Sequence, residues 1–268
     1  MAGVWTALGP PSISGVYDPG LRMQTPPEPP GRPIPAPRGN TASPAEVGAM
    51  FDRIARVYDP LNSVISGFQE PRWRRRLVAA TGLEQGMAAL DVASGTGAVA
   101  RDLARQVGTG GHVLGLDISA GMIDRARAHE RNPTQLSFER GDALDLPVQD
   151  GTFDAATIAF GMRNLPDYER GFAEMTRAVR SGGIVACLEI ARPRSPVGRL
   201  GGLWFDRVVP LIGRLAGQAD AYRYLVTSVR AYPRPEEVAE IMGRAGLIEV
   251  RWTPLTFGLV TLHVGRRP

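Results

Sequence analysis

The sequence contains no lysine: all 31 of its basic residues are arginine. That absence excludes Schiff-base chemistry and a P-loop lysine. Cysteine occurs once, as Cys187 in an apolar stretch. There is accordingly no disulfide framework and no cysteine zinc site, and the thiol is expected to be buried and inert. The three histidines stand at no spacing to Asp or Glu that suggests a metal site. No apolar run reaches the ~18 residues of a membrane span, and the first residues lack the charged-then-apolar order of a secretory leader. These absences point to a cytoplasmic protein. Charge is also modest, +4 over 268 residues. The arginines are dispersed, which argues against nucleic acid as a partner and leaves open a basic face toward an anionic membrane.

What is present is 43% hydrophobic residues, enough for one large core. Residues 1–42 hold close to half of the 23 prolines, mixed with Gly, Ser and Thr. This stretch reads as a disordered tail, leaving 43–268 as the catalytic domain. Ser43-Pro-Ala-Glu46 is a capping box. It opens a helix with Val47, Met50, Phe51, Ile54 and Val57 at helical spacing, ending near Tyr58-Asp-Pro60. A second, arginine-rich helix follows around Trp73–Arg76. Both are expected to lie over the carboxyl edge of a sheet, where ligands bind.

The stretch that organises the chain is Ala88-Ala-Leu-Asp-Val-Ala-Ser-Gly-Thr-Gly97. It reads as a buried strand, a glycine loop (Gly95, Thr96, Gly97) and a helix with Val99, Leu103 and Val107 on one face, the first unit of a doubly wound fold. The loop N–H groups and the helix N-terminus offer donors. Asp91 sits within the strand end, where dinucleotide loops, which hold a pyrophosphate, rarely place an acid. Strand Val113–Asp117 ends in a second acid, placed to hold both hydroxyls of a ribose. A third strand and loop, Phe138–Pro147, brings Asp142, able to accept from an adenine amino group. Acids on three successive strand ends suit a nucleoside with a cationic centre, as in S-adenosylmethionine (SAM). A class I methyltransferase is therefore favoured over an NAD-type oxidoreductase, which would also need a Tyr-x-x-x-Lys or similar base.

A fourth strand, up to Ala159, leads into Phe160-Gly-Met-Arg-Asn164, which puts Arg163 and Asn164 on the same edge as the glycine loop. A helix over Asp167–Val179, stopped by Ser181-Gly-Gly183, precedes a fifth strand, Ile184–Ile190, with Glu189 near its end. Residues 193–232 read as a helical insertion, either plain core packing or a lid for a lipid-tailed substrate dipping into the membrane interface. A last helix starts at Pro235. Strands Leu247–Trp252 and Thr256–Val264 close the sheet as a hairpin, one of them antiparallel to the rest. The expected fold is α/β and Rossmann-like: a seven-stranded, mostly parallel sheet with helices on both faces and a helical lid.

With these pieces in hand, the chain resembles the UbiE/MenG-type C-methyltransferases of ubiquinone and menaquinone biosynthesis, from about Met50 to Gly265. The resemblance rests on Met50-Phe-Asp-Arg-Ile-Ala-Arg-Val-Tyr-Asp59, Asn62, Trp73-Arg74, Asp91–Gly97, Gly141-Asp-Ala143, Phe160–Asn164, Leu188-Glu189, Tyr222–Leu225 and His263-Val-Gly265. One departure is Ala98, where the family usually has an acid. The resemblance implies SAM-dependent methylation of a ring carbon on a polyprenylated quinol, with demethylmenaquinol the favoured acceptor. It implies that Thr96, Asp117, Asp142 and Ala143 bind SAM and that Tyr58, Arg163 and Asn164 line the quinol site. Carbon is a poor nucleophile unless the quinol hydroxyl is deprotonated or strongly hydrogen-bonded. Arg163 is therefore expected to stabilise the quinol oxygen, with Asn164 as a second donor and Tyr58 as donor or proton relay. Peripheral contact with the inner membrane face accompanies this reading, and a homodimer is compatible with it. The alternatives are another lipid or small-molecule acceptor, or a non-catalytic scaffold of the same fold.

Overall fold

The computed structural model describes residues 42–55, 57–130, 134–193, 207 and 219–268. Nearly all of the proline-rich segment, and residues 194–206 and 208–218 of the insertion, lie outside the described residues. The chain runs through α1 (Pro44–Ile54), α2 (Tyr58–Ile65), α3 (Glu70–Ala80), β1 (Ala88–Val92), α4 (Ala98–Val107), β2 (His112–Asp117), α5 (Ala120–Ala128) and β3 (Leu136–Arg140). It continues through β4 (Phe153–Ala159), α6 (Tyr168–Ala178), β5 (Val179–Ile190), α7 (Ala219–Ala231), α8 (Pro235–Arg244), β6 (Ile248–Leu255) and β7 (Val260–Arg266).

The seven strands form one sheet in the order β3-β2-β1-β4-β5-β7-β6. β1 to β5 are parallel, and β7 alone runs against them. Strands buried on both faces carry near-continuous apolar residues, because helices cover both sides. Leu90, Val92, Leu116 and Ile158 pack with Phe172 and Met175 of α6 and Ile241 and Met242 of α8. Ala89, Val113 and Leu188 pack on the other face with Leu77 of α3 and Leu103 and Val107 of α4. Chain order reverses between β1 and β4, and that switch point opens a crevice at the carboxyl ends of the strands.

Two sequence expectations are corrected. The N-terminal region holds three helices, not two: the chain breaks after Ile54 and α2 starts at Tyr58, where the first helix had been expected to end. Pro60 is tolerated there because it lies in the first turn of α2, where backbone N–H groups have no helical partner. Second, Ser181-Gly-Gly183 does not stop a helix. α6 ends as Val179 turns to extended geometry, and β5 takes over at once. The glycines lie inside β5, next to the register shift against β4 between Phe153 and Ala155. The tight approach there accounts for them: a Cβ on Gly183 would stand 2.8 Å from the Asp154 carbonyl oxygen.

Candidate active site

At the carboxyl edge lies a solvent-open cleft of about 720 Å³. One wall is built by strand ends: Val92 at the end of β1 with Ala93 after it, Asp117 at the end of β2, Asp142 and Ala143 after β3, and Ala159 at the end of β4 with Phe160 after it. Ala93 and Phe160 both hold positive φ, 52° and 57°. Such strain in non-glycine residues persists where surrounding structure imposes it, and it gathers at functional sites. The opposite wall comes from α1 and α2, through Val47, Phe51 and Tyr58. The first helix therefore lines the edge as expected, whereas the arginine-rich α3 contributes nothing to the lining and packs through Trp73, Leu77 and Val78 in the core shared with α4 and β5.

Asp117 is the best-defined acid of the cleft. Its Oδ2 accepts the Gly95 N–H at 2.8 Å and its Oδ1 the Ser119 N–H at 2.9 Å. Burial pushes its pKa up, while these N–H donors oppose the shift. Each oxygen retains a second lone pair for a ligand hydroxyl. Asp142 accepts the Leu144 N–H through Oδ1 at 2.9 Å, which leaves its other oxygen uncommitted. Gly95, at φ 56°, faces the Tyr58 ring, which a Cβ would approach to 4.0 Å.

Other residues singled out from sequence lie outside the cleft lining. Asp91 is buried beneath the loop, where Thr157 donates to its Oδ1 at 2.8 Å and Oδ2 has no protein partner. Burial pushes its pKa up to about 7. Thr96 turns its hydroxyl to Asp59 of α2, at 2.7 Å. Gly97 serves packing: at φ 83°, its absent side chain leaves room for the Phe138 ring, which a Cβ would meet at 2.4 Å.

Arg163 departs most from expectation. It is only 6% exposed and Glu189 only 1%, and the two form an ion pair at 2.7 Å. The same guanidinium nitrogen also donates to the Phe160 carbonyl, and the Arg163 backbone N–H donates to Glu189 Oε2 at 3.2 Å. Burial works against the guanidinium charge, but Glu189 holds its pKa above the ordinary value. Its Nε–H has no protein partner. Glu189 therefore organises the Phe160–Asn164 turn. Asn164 does line the cleft; its Oδ1 accepts from the Tyr224 hydroxyl of α7 at 3.2 Å. Burial raises the Tyr58 phenol to about 12, against a hydrogen bond with Asn62 that lowers it, so Tyr58 is a proton donor at neutral pH.

The cleft thus unites Tyr58, Gly95, Asp117, Asp142, Ala143 and Asn164. The profile of the ubiE/COQ5 methyltransferase family matches residues 40–267. The chain belongs to that family. A demethylmenaquinone methyltransferase of Desulfitobacterium hafniense is 38% identical over 229 residues, spanning 84% of this chain and 90% of that protein. One from Staphylococcus aureus is 37% identical over 228 residues, spanning 84% and 95%. Among solved structures, a SAM-dependent methyltransferase of Thermotoga maritima superposes with a TM-score of 0.59 at 18% identity, covering 82% of this chain and 99% of that one. Phosphoethanolamine N-methyltransferase 2 of Haemonchus contortus, solved with SAM, gives 0.56 at 16% identity over 74% and 52%. At those identities the superpositions show the fold alone.

A member of this family is a SAM-dependent methyltransferase, and the cleft fits that cofactor: its carboxylates have free lone pairs for hydroxyl and amino donors, and its walls are otherwise largely apolar. Sequence reasoning missed Asp52 and Asp59. Asp52 Oδ1 accepts from the Ser119 hydroxyl at 2.5 Å and the Gly121 N–H at 2.8 Å, and Asp59 accepts from Thr96. Both lie within Met50–Asp59, but the break after Ile54 places them on different helices, so no single helical stripe signals them. His263 is buried, with its ring at hydrogen-bond distance from the Pro235 carbonyl, 3.0 Å. It is structural. Among the described residues no helix is long and apolar enough to cross a membrane.

Proposed function

We propose that the protein methylates a ring carbon of demethylmenaquinol, working at the membrane surface where such a lipid resides. The observation that carries this reading is the meeting of Tyr58 and Asn164 with Asp117, Asp142 and Ala143 in one cleft. The 37–38% identical relatives named demethylmenaquinone methyltransferases support the acceptor. On this reading Asp117 holds the ribose hydroxyls and Asp142, with Ala143, the adenine. Bound SAM supplies an electrophilic methyl group.

The work left to the protein is to orient the quinol ring and raise the electron density at its carbon. Tyr58, protonated at neutral pH, donates to a quinol oxygen, and the Asn164 amide fixes the ring's rotation. With its charge matched by Glu189, Arg163 is no free cation. It holds the Phe160–Asn164 turn, and with it the place of Asn164 in the cleft. Negative charge that builds on the quinol oxygen is stabilised by the Tyr58 and Asn164 donors in a partly dry site. SAM held there would supply the methyl group and keep the electron pair of the broken sulfur–carbon bond, and the ring proton would pass to water in the solvent-open cleft, so no oxidant is required.

The test is to incubate the protein with methyl-labelled SAM and two reduced acceptors, a demethylmenaquinol and a polyprenyl-methoxy-benzoquinol, and to trace label in the lipid extract. Label in the demethylmenaquinol supports the proposal. Label only in the benzoquinol moves the enzyme to the other quinone. Absence of label in both, with SAM still bound, rejects a quinol acceptor.

A further inference from the structure

Two phenylalanines stand out from the surface: Phe68 is 72% exposed and Phe257 68%. Both hold positive φ, 59° and 57°. Glycine takes that conformation without strain, whereas a bulky residue is rarely found in it. Two unrelated turns therefore each hold an aromatic tip outward in a strained conformation. Phe68 lies between α2 and α3, and Phe257 lies in the turn joining β6 to β7. α3, which follows the Phe68 turn, is tied to the β6–β7 turn, because the Trp73 indole N–H donates to the Thr256 hydroxyl at 2.8 Å. Both turns sit at the carboxyl edge of the sheet. Val260, which opens β7, pairs with Ile190, the last residue of β5. The Trp73 ring also lies 6.0 Å from that of Phe160, which lines the cleft.

The exposed charge of the same corner is arginine, since the one acid of α3, Glu70, is paired with Arg74 at 2.7 Å. Arg72 and Arg75 of α3 are exposed, while Trp73, Leu77 and Val78 of that helix are buried. Val64, 43% exposed, adds apolar surface near the end of α2. Aromatic tips beside arginines match an interface in which acyl chains lie under anionic headgroups. A second copy of the chain suits the patch less well, since a two-fold contact would set these arginines against their own counterparts.

We propose that Phe68 and Phe257 enter the interface of an anionic bilayer while Arg72 and Arg75 meet its headgroups. This seats the cleft at the lipid surface. The inference rests on the lipid-quinol reading for its purpose, but its test does not depend on turnover.

The full chain would be sedimented with phosphatidylcholine vesicles, with and without about one third phosphatidylglycerol. Phe68→Asn/Phe257→Asn, which keeps residues that tolerate positive φ, is expected to weaken partitioning into the anionic vesicles about tenfold. Arg72→Gln/Arg75→Gln is expected to weaken it similarly, and added salt should erase that difference. Arg105→Gln/Arg180→Gln, the same loss of charge at the opposite edge, should bind as wild type. All variants should melt as wild type. The proposal is overturned if wild type ignores anionic vesicles, if the phenylalanine variant binds undiminished, or if that variant loses a dimer seen by light scattering and no vesicle binding occurs. Loss of vesicle binding in the variants without any quinol methylation by wild type would sink the functional reading and leave the docking surface standing.

Discussion

At Arg163 and Glu189 two opposite charges share a buried site, and their stabilising effect depends on both being present. Removing one partner from such a pair leaves an unmatched charge and costs about 3–5 kcal/mol, whereas a well-packed apolar pair of similar volume is often neutral. Glu189→Leu should accordingly lower the urea unfolding free energy by that amount, and Arg163→Met/Glu189→Leu should recover most of it. Equal stability of the single and double variants would show that the pair does not hold the turn. Methyl transfer should fall in both, because the turn that places Asn164 in the cleft loses its ion pair.

His263 gives a pH dependence with a definite sign. Burial holds its pKa down to about 4, and its Nδ1 has no partner to accept a second proton's N–H. Below its unfolded pKa, near 6.5, the unfolded chain binds a proton that the folded chain refuses, so stability falls as pH drops from about 6.5 toward about 4. The full effect is on the order of 3 kcal/mol. His263→Gln should flatten that part of the denaturation profile, and an unchanged slope would remove His263 from the account.

At the scale of elements, α1 is held against the start of α5 by a small set of contacts. Asp52 accepts from Ser119 and Gly121 at the start of α5, and Ile54 and Ala55 pack on Met122. Gly121 permits the approach: a Cβ there would stand 3.1 Å from Asp52 Oδ1 and 3.3 Å from its Cα. Gly121→Val should push α1 off, at a cost of about 1–3 kcal/mol. SAM affinity should drop with it, since Val47 and Phe51 line the cleft. Limited proteolysis near α1 and calorimetric SAM binding would report the two effects; tighter or unchanged SAM binding would show that α1 is not part of the wall. The strands and α4 were readable because their apolar periodicity is local. The α1–α2 break and the direct passage from α6 to β5 were not, because a proline in a first turn and glycines at a bulge look like helix stops in sequence. What distinguishes them is the neighbouring strand or helix.

For the whole molecule, a cofactor that binds only the folded state raises its stability by mass action. At a hundredfold excess over Kd the gain is about 2.7 kcal/mol, or roughly 5–10 °C in Tm for a domain of this size. SAM should produce that shift and NADH none; a shift with NADH instead would contradict the assigned cofactor. The two cores, one on each face of the sheet, make the rise cooperative across the described fold.

The sequence by itself determined the alternation of strands and helices from β1 onward, the carboxyl edge as the place of the cleft, and Asp117 and Asp142 as strand-end acids that line it, because strand ends and glycine loops are written in consecutive residues. Tertiary structure alone decided what each buried polar group does. It paired Arg163 with Glu189, 26 positions apart, turned Thr96 to Asp59, and brought Tyr224 to Asn164. It also tied the β6–β7 turn to α3 through Trp73 and Thr256, 183 positions apart. Those assignments depend on which distant group reaches a buried charge or donor first, and no local pattern carries that distance.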